Sequence, residues 1–154
     1  MEIFIIRHAH AVDAAEDPAR PLSKRGRKQV RRLARFFKKT DALPLIEVWH
    51  SPLARSKETA ELLVKRLCAE AKLTQIDGLE GDDDPAILAG RLKTRRTSVA
   101  IVGHEPHLSA LLSLLIAGTP EPPKFILKKS AVVALDRTNG NYAVRWQISP
   151  ELIS

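Results

Sequence analysis

At 154 residues the chain is long enough to bury one sizeable core and too short for two. Apolar residues make up 44% and charged residues 28%, an ordinary balance for a globular fold, and no apolar run approaches the roughly 18 residues of a membrane-spanning helix. The net charge of +7 and a pI near 9.9 bias the protein toward anionic partners without naming one.

In chain order, residues 2 to 6 predict a buried strand that ends in Arg7-His8-Ala9-His10, where Arg7 also breaks the apolar stretch too early for a signal peptide. Ser23 reads as the N-cap of a helix with Val30, Leu33, Ala34 and Phe37 on one face. Residues 46 to 49 form a second strand, and Pro52 suits the first turn of a helix carrying Ala60, Leu63, Val64 and Leu67 inward. The lone Cys68 has no partner for an internal disulfide; it is expected to be a small buried hydrophobe, consistent with a reducing cytoplasm. A short strand, an acidic loop from Asp77 to Pro85 and a weaker helix near Ile87 to Leu92 come next. Residues 98 to 102 are a strand, Pro106 opens a helix with Leu108, Leu111, Leu112 and Leu115 at core spacing, and residues 118 to 123 are a loop. Strands at 131 to 136 and 142 to 148 are joined by Asn139-Gly140, a strong hairpin signal. Trp49 and Trp146 fall within strand patterns as core residues. The alternation predicts a single α/β domain over residues 1–154, three-layered, with a mostly parallel central sheet and a C-terminal antiparallel hairpin.

Three times an apolar strand runs into chemically capable residues before a helix: IFIIRH, IEVWHSPLAR and SVAIVGHEP. In open parallel sheets the ligand crevice lies beyond the carboxyl ends of the strands, so Arg7, His8, Arg55 and His104 are expected to converge there. Two guanidinium forks suit a tetrahedral anion such as a phosphoryl group, and a neutral imidazole can attack phosphorus in line without a metal or other cofactor. Other phosphatase chemistries fit less well. A cysteine nucleophile would need arginine six positions after Cys68, where Thr74 stands. No strand delivers Asp82-Asp83-Asp84 as an aspartyl nucleophile, and the phosphate-cradling G-x-x-x-x-G-K-[ST] loop is absent. His8, His10 and Asp13 suggest a metal site, but the adjoining Arg7 is an awkward neighbour for a cation, and no metal is expected. His10, His50 and His107 read as side chains of the pocket edge, Ser23 serves to cap its helix in the loop that also holds Arg20, and Glu105 either orients His104 or favours a helix N-terminus by its charge.

At these residues the chain resembles the histidine phosphatase superfamily, whose signature is Arg-His-Gly after the first strand, and within it the small SixA-type phosphohistidine phosphatases. The likeness extends through IIRHAHA, RPLSKRGRKQV, SPLARSKETAELL, VGHEPHLSALLSLL, FILKKSAVVAL and WQISPEL, in order and spacing over nearly the whole chain. It implies a phosphoglycerate-mutase-like fold and a phosphatase with His8 as nucleophile, Arg7 and Arg55 on the phosphoryl oxygens, and His104 stabilising the transferring group. Two departures stand out. Ala9 replaces the signature glycine, a change expected to be tolerated. The carboxylate that larger relatives use as general acid corresponds to the region of Glu80, Asp82, Asp83 and Asp84, with Glu80 the candidate. The expected substrate is phosphohistidine on a partner protein with an acidic surface, docked on the basic helix from Ser23 to Lys39. A phosphatase of small phosphate esters and a non-catalytic phospho-ligand binding module are the alternatives. Nucleic acid is disfavoured as a partner because no aromatic residues alternate with the basic ones, and no membrane association is expected.

Overall fold

In the computed structural model, which describes residues 1–153, the elements follow in the order β1 (Glu2–Arg7), α1 (Lys24–Thr40), β2 (Glu47–His50), α2 (Ala54–Leu67), β3 (Lys72–Gln75), α3 (Pro85–Lys93), β4 (Val99–Gly103), α4 (His107–Ala117), β5 (Val132–Thr138) and β6 (Asn141–Ile148), with a 3-10 turn at Pro150–Leu152. The strands form one sheet in the order β3-β2-β4-β1-β5-β6. The β1–β4, β4–β2 and β2–β3 pairs are parallel, whereas β5 runs antiparallel to both β1 and β6.

Side-chain alternation sends one set of strand residues to each face. Phe4, Ile6, Val48, Ala100, Val102, Val132 and Ala134 pack against α1 and α2, while Ile3, Ile5, Trp49, Val99, Ile101, Val133 and Leu135 pack against α3 and α4. Both faces are thus covered, which is why β1, β4 and β5 read as unbroken apolar runs rather than alternating ones. The expected three-layer α/β arrangement is observed, hairpin included: Asn139 and Gly140 have φ of 53° and 78°, the paired positive values of a type I′ turn.

Local chemistry sets the helix nearest the site. Ser23 accepts a hydrogen bond from the Gly26 N–H at 3.0 Å, capping α1. Gly26 also lies against the backbone of His10, where an added Cβ would sit 2.0 Å from the His10 carbonyl oxygen, so only glycine permits this approach. Asp41 closes the helix in a left-handed conformation.

Several boundaries differ from expectation. Pro52 lies ahead of the Leu53 N-cap rather than inside α2, and Pro106 is itself the N-cap of α4. Cys68 is half-buried, because it is the C-cap residue of α2 and not part of its inner face. Trp49 is buried, its ring flanked by the Arg91 and Arg95 guanidinium groups at 5.0 and 5.2 Å; Trp146 is half-buried against Phe4 and Phe37.

Candidate active site

Parallel pairing aligns Arg7 of β1 with Gly103 of β4, and the His8 N–H donates to the Gly103 carbonyl at 3.0 Å. The residues that follow, His8 and His104, therefore leave neighbouring central strands at the same level, with ring centroids 5.0 Å apart. Both are buried, at 6% and 3% exposure. His8 Nδ1 is 2.7 Å from the Ala9 carbonyl oxygen, and a carbonyl only accepts, so Nδ1 carries the proton. The lone pair is left on Nε2. Burial pushes His8 down to about 3, with the charges of His104, Arg55 and Arg7 acting in the same sense and the bond to Ala9 opposing them. Burial likewise lowers His104 to about 4, aided first by Arg55. Its Nε2 lies 2.6 Å from the Ser51 hydroxyl, while Nδ1 is buried without a protein partner.

Arg7 donates from Nη1 to the Leu127 carbonyl at 2.7 Å, in the segment leading to β5. Arg55 stands in the first turn of α2. Burial lowers both guanidinium groups, opposed at Arg7 by Glu105; at Arg55 the Arg20 charge adds to the lowering and Glu80 opposes it. The Nε atoms of both are buried and without protein partners. Beneath them the Thr59 hydroxyl accepts from the Ala9 N–H at 3.1 Å and donates to the Arg55 carbonyl at 2.7 Å, tying the loop after β1 to α2. Ala9 is wholly buried and is not among the described residues with positive φ, so its backbone makes no demand for glycine.

Glu80 is exposed in the acidic loop, which is pinned from both sides. Asp83 accepts from the Glu80 N–H at 2.8 Å, and Gly81 packs close to the Glu105 carbonyl. Asp84 is the N-cap of α3, accepting from Ala86 at 2.9 Å. Asp83 and Asp84 are thus held by backbone, Asp82 is exposed, and Glu80 is the loop carboxylate whose charge bears on Arg55. Glu105 accepts from both the N–H and the hydroxyl of Ser109 in the first turn of α4, its helix-capping alternative.

The three remaining histidines part company. His10 is half-buried at the edge, with its Nδ1 2.7 Å from the Ser23 hydroxyl. His50 and His107 are not edge residues but buried ones: His50 Nδ1 donates to the Ser51 carbonyl at 2.8 Å, and His107, at 1% exposure, has both nitrogens without protein partners. Among the described residues no three His, Cys, Asp or Glu side chains are gathered in a metal-binding group. Sequence patterns did not single out Ser51, Ser56 and Thr59. Ser56 accepts from Ser51 N–H at 3.1 Å and donates to Val102 at 2.7 Å, fixing the turn that carries Ser51 under His104. Arg20 holds φ at 48° and donates to the Val12 carbonyl at 3.1 Å, bringing a further cation near Arg55 and His104.

The model of the histidine phosphatase superfamily (branch 1) matches residues 3–80. The chain is 30% identical over 155 residues to the phosphohistidine phosphatase SixA of Escherichia coli strain K12, covering 97% of this chain and 94% of that protein. A solved structure of the protein histidine phosphatase SixA complexed with tungstate superposes with a TM-score of 0.86 at 26% identity, covering 99% of both chains. The α-ribazole phosphatase of Shigella flexneri shares the fold, with a TM-score of 0.80 at 20% identity over 97% of each chain. The chain therefore belongs to the histidine phosphatase superfamily and is a phosphatase with the phosphoglycerate-mutase-like fold. Within that family it is of the SixA type.

Proposed function

We propose that the protein removes phosphate from phosphohistidine on a partner protein through a covalent phospho-His8 intermediate. The observation that carries this reading is the His8 ring: Nδ1–H is spent on the Ala9 carbonyl, and burial keeps Nε2 unprotonated at neutral pH. Nε2 attacks phosphorus as the P–N bond to the substrate imidazole breaks, and the leaving ring takes a proton from Glu80 or from water. Water then attacks phospho-His8, releasing inorganic phosphate and restoring the neutral ring. Arg7 and Arg55 hold the phosphoryl oxygens as fixed donors, so the charge of the transferring group is met without reorganisation. A Ser51 hydroxyl that donates to His104 Nε2 places the His104 proton on Nδ1, a third donor for that group.

Support for a histidine-borne substrate comes from the SixA relative and from charge. Lysines and arginines crowd the approach to the site, and an imidazole leaves with less help than an alkoxide. The partner surface is accordingly acidic. The deciding experiment is rapid quench under alkaline conditions with mass spectrometry, alongside kcat/KM for a phosphohistidine protein, a phosphoserine peptide and a sugar phosphate. A phosphoryl group on His8 and a preference for phosphohistidine are expected. Equal or better turnover of the small ester, or no label on His8, would refute the reading.

A further inference from the structure

Helix α1 carries nine lysines and arginines and no acidic residue. Lys24, Arg25 and Arg27 stand in its first turn, against the positive end of the helix dipole, and so weaken the helix they begin. Among the described residues only Arg27 of these nine finds a carboxylate, Glu58 at 3.7 Å. A charge arrangement that costs stability and finds so few carboxylates among the described residues points outward.

Arg25, Lys28, Arg32 and Arg35 follow at intervals of three, four and three, which sets them in a line along one helical face. That face walls two adjoining clefts of about 670 and 570 Å³, which share Lys28, Arg32 and Glu151. The first cleft reaches Arg7 and His10 and takes Lys128 and Lys129 into its lining. The second continues to Arg35 beside Leu152, which is 83% exposed. The resulting trench runs from Arg7 along about 15 Å of α1, or three turns. Among the described residues Glu151 is the one carboxylate side chain in its lining.

We propose that this trench receives an acidic α-helix of the protein carrying the phosphohistidine, whose carboxylates at intervals of three and four align with Arg25, Lys28, Arg32 and Arg35. The phosphorylated side chain then enters at the Arg7 end. The proposal rests on the phosphatase reading above and adds the shape of the partner to it. Two helices lying side by side match rows of opposite charge at the same spacing, and the exposed Leu152 offers an apolar contact at the far end. Nucleic acid, the other polyanion, finds no phenylalanine, tyrosine or tryptophan in the lining on which to stack successive bases, His10 at the Arg7 end being the one aromatic ring among the described residues there.

The test uses two synthetic helical peptides of identical composition, one with glutamates at intervals of three, four and three along one face, the other with them scattered around the helix. Fluorescence anisotropy at roughly 0.05 and 0.3 M salt measures their binding to the full chain. The striped peptide is expected to bind on the order of tenfold more tightly at low salt, with a preference that shrinks at high salt and disappears in the Lys28→Glu/Arg32→Glu variant. The milder Lys28→Gln/Arg32→Gln variant should fall between. With a phosphohistidine placed one turn beyond either end of the stripe, the ratio of kcat/KM on the peptide to that on phosphoramidate should drop about tenfold in the charge-reversed variant. Equal binding of both peptides, a preference that survives charge reversal, or tighter binding of single-stranded nucleic acid than of the striped peptide overturns the proposal. Absence of phosphoramidate turnover by the unaltered protein would instead sink the phosphatase reading, and the binding series still judges the trench.

Discussion

Replacing Thr59 by valine removes one hydroxyl while keeping the shape of the side chain, and that hydroxyl joins the loop that carries His8 to the helix that carries Arg55. In Thr59→Val the buried Ala9 N–H loses its acceptor at 3.1 Å, whereas the Arg55 carbonyl loses only a supplementary donor. An orphaned buried donor costs about 1–3 kcal/mol, and valine opens no cavity, so a loss of about 2 kcal/mol is expected. For a chain of this length that corresponds to a fall in Tm of roughly 4–8 °C. The functional cost exceeds what stability alone explains. The Ala9 carbonyl fixes the His8 tautomer, and a displacement near 1 Å at a reacting group costs on the order of a hundredfold in rate. The assay is kcat on phosphoramidate at a temperature where both proteins are folded, with Thr59→Ser as the control that restores the hydroxyl. If Thr59→Val keeps both its Tm and its kcat, or if Thr59→Ser is as damaged as Thr59→Val, the hydroxyl is not what holds His8 and Arg55 together.

His8→Ala should abolish turnover while EDTA leaves the unaltered enzyme active; loss with EDTA that zinc restores would mean that a metal-bound hydroxide attacks phosphorus. Arg7→Ala and Arg55→Ala should each remove about 3 kcal/mol of transition-state stabilisation, a hundredfold or more in kcat/KM, and mild effects at both would contradict their place on the phosphoryl oxygens. Because His8 falls from 6.5 to about 3 in the folded protein, the unfolded chain takes the proton first. The resulting stability is complete above about pH 6.5 and is lost as pH falls toward 3, with about 2 kcal/mol gone by pH 5. Urea midpoints at pH 7 and 5 should therefore converge more in His8→Asn than in the unaltered protein, and equal pH dependence would count against a buried neutral ring. Glu80→Gln should reduce kcat/KM about a hundredfold on a phosphoserine peptide and only a few-fold on phosphohistidine, since imidazole needs less protonation to leave; equal losses would remove the leaving-group argument.

The sequence made the central strands legible because they are buried on both faces, and it made His8 and His104 legible because polar residues directly follow such runs. The edge strand β3 was harder to place. Its KLTQ segment is mostly solvent-exposed, with Leu73 among the exposed residues, so neither an apolar run nor a clean alternation marks it. The supporting hydroxyls were hidden for a different reason. Ser51 and His104 are 53 positions apart, Ala9 and Thr59 fifty, and no local pattern separates such a serine or threonine from a surface one. Proximity to a motif points His50 and His107 to the rim, yet as the last residue of β2 and the first of α4 both are buried, and no local pattern marks that burial. Among the carboxylates, spacing leaves Glu80, Asp82, Asp83 and Asp84 together; the backbone bonds made by Asp83 and Asp84 set those two apart, and the charge of Glu80 on Arg55 distinguishes it from Asp82.

The burial of His8 also answers a difficulty that its neighbours create. In the proposed mechanism Arg7 and Arg55 draw a phosphoryl group in, and a dianion at hydrogen-bond distance favours the imidazolium form of any histidine beside it. A ring that began near its ordinary value of about 6.5 would be largely protonated once substrate arrived, and its nucleophilic lone pair would be gone. His8 begins at about 3 instead. An incoming phosphoryl group could then raise its proton affinity about a thousandfold, a shift of three pH units, and still leave most of the ring neutral at pH 7. Burial supplies the largest part of that margin, and Arg55 and Arg7 add to it by repelling a proton from His8 in the free protein. A pocket built from cations alone would hold phosphate but offer it no nucleophile; one built around an exposed histidine would lose its nucleophile on binding. On the proposed reading, placing the imidazole just beyond the end of β1, buried and with its Nδ1 proton committed to Ala9, lets one pocket serve as both anion trap and attacking group.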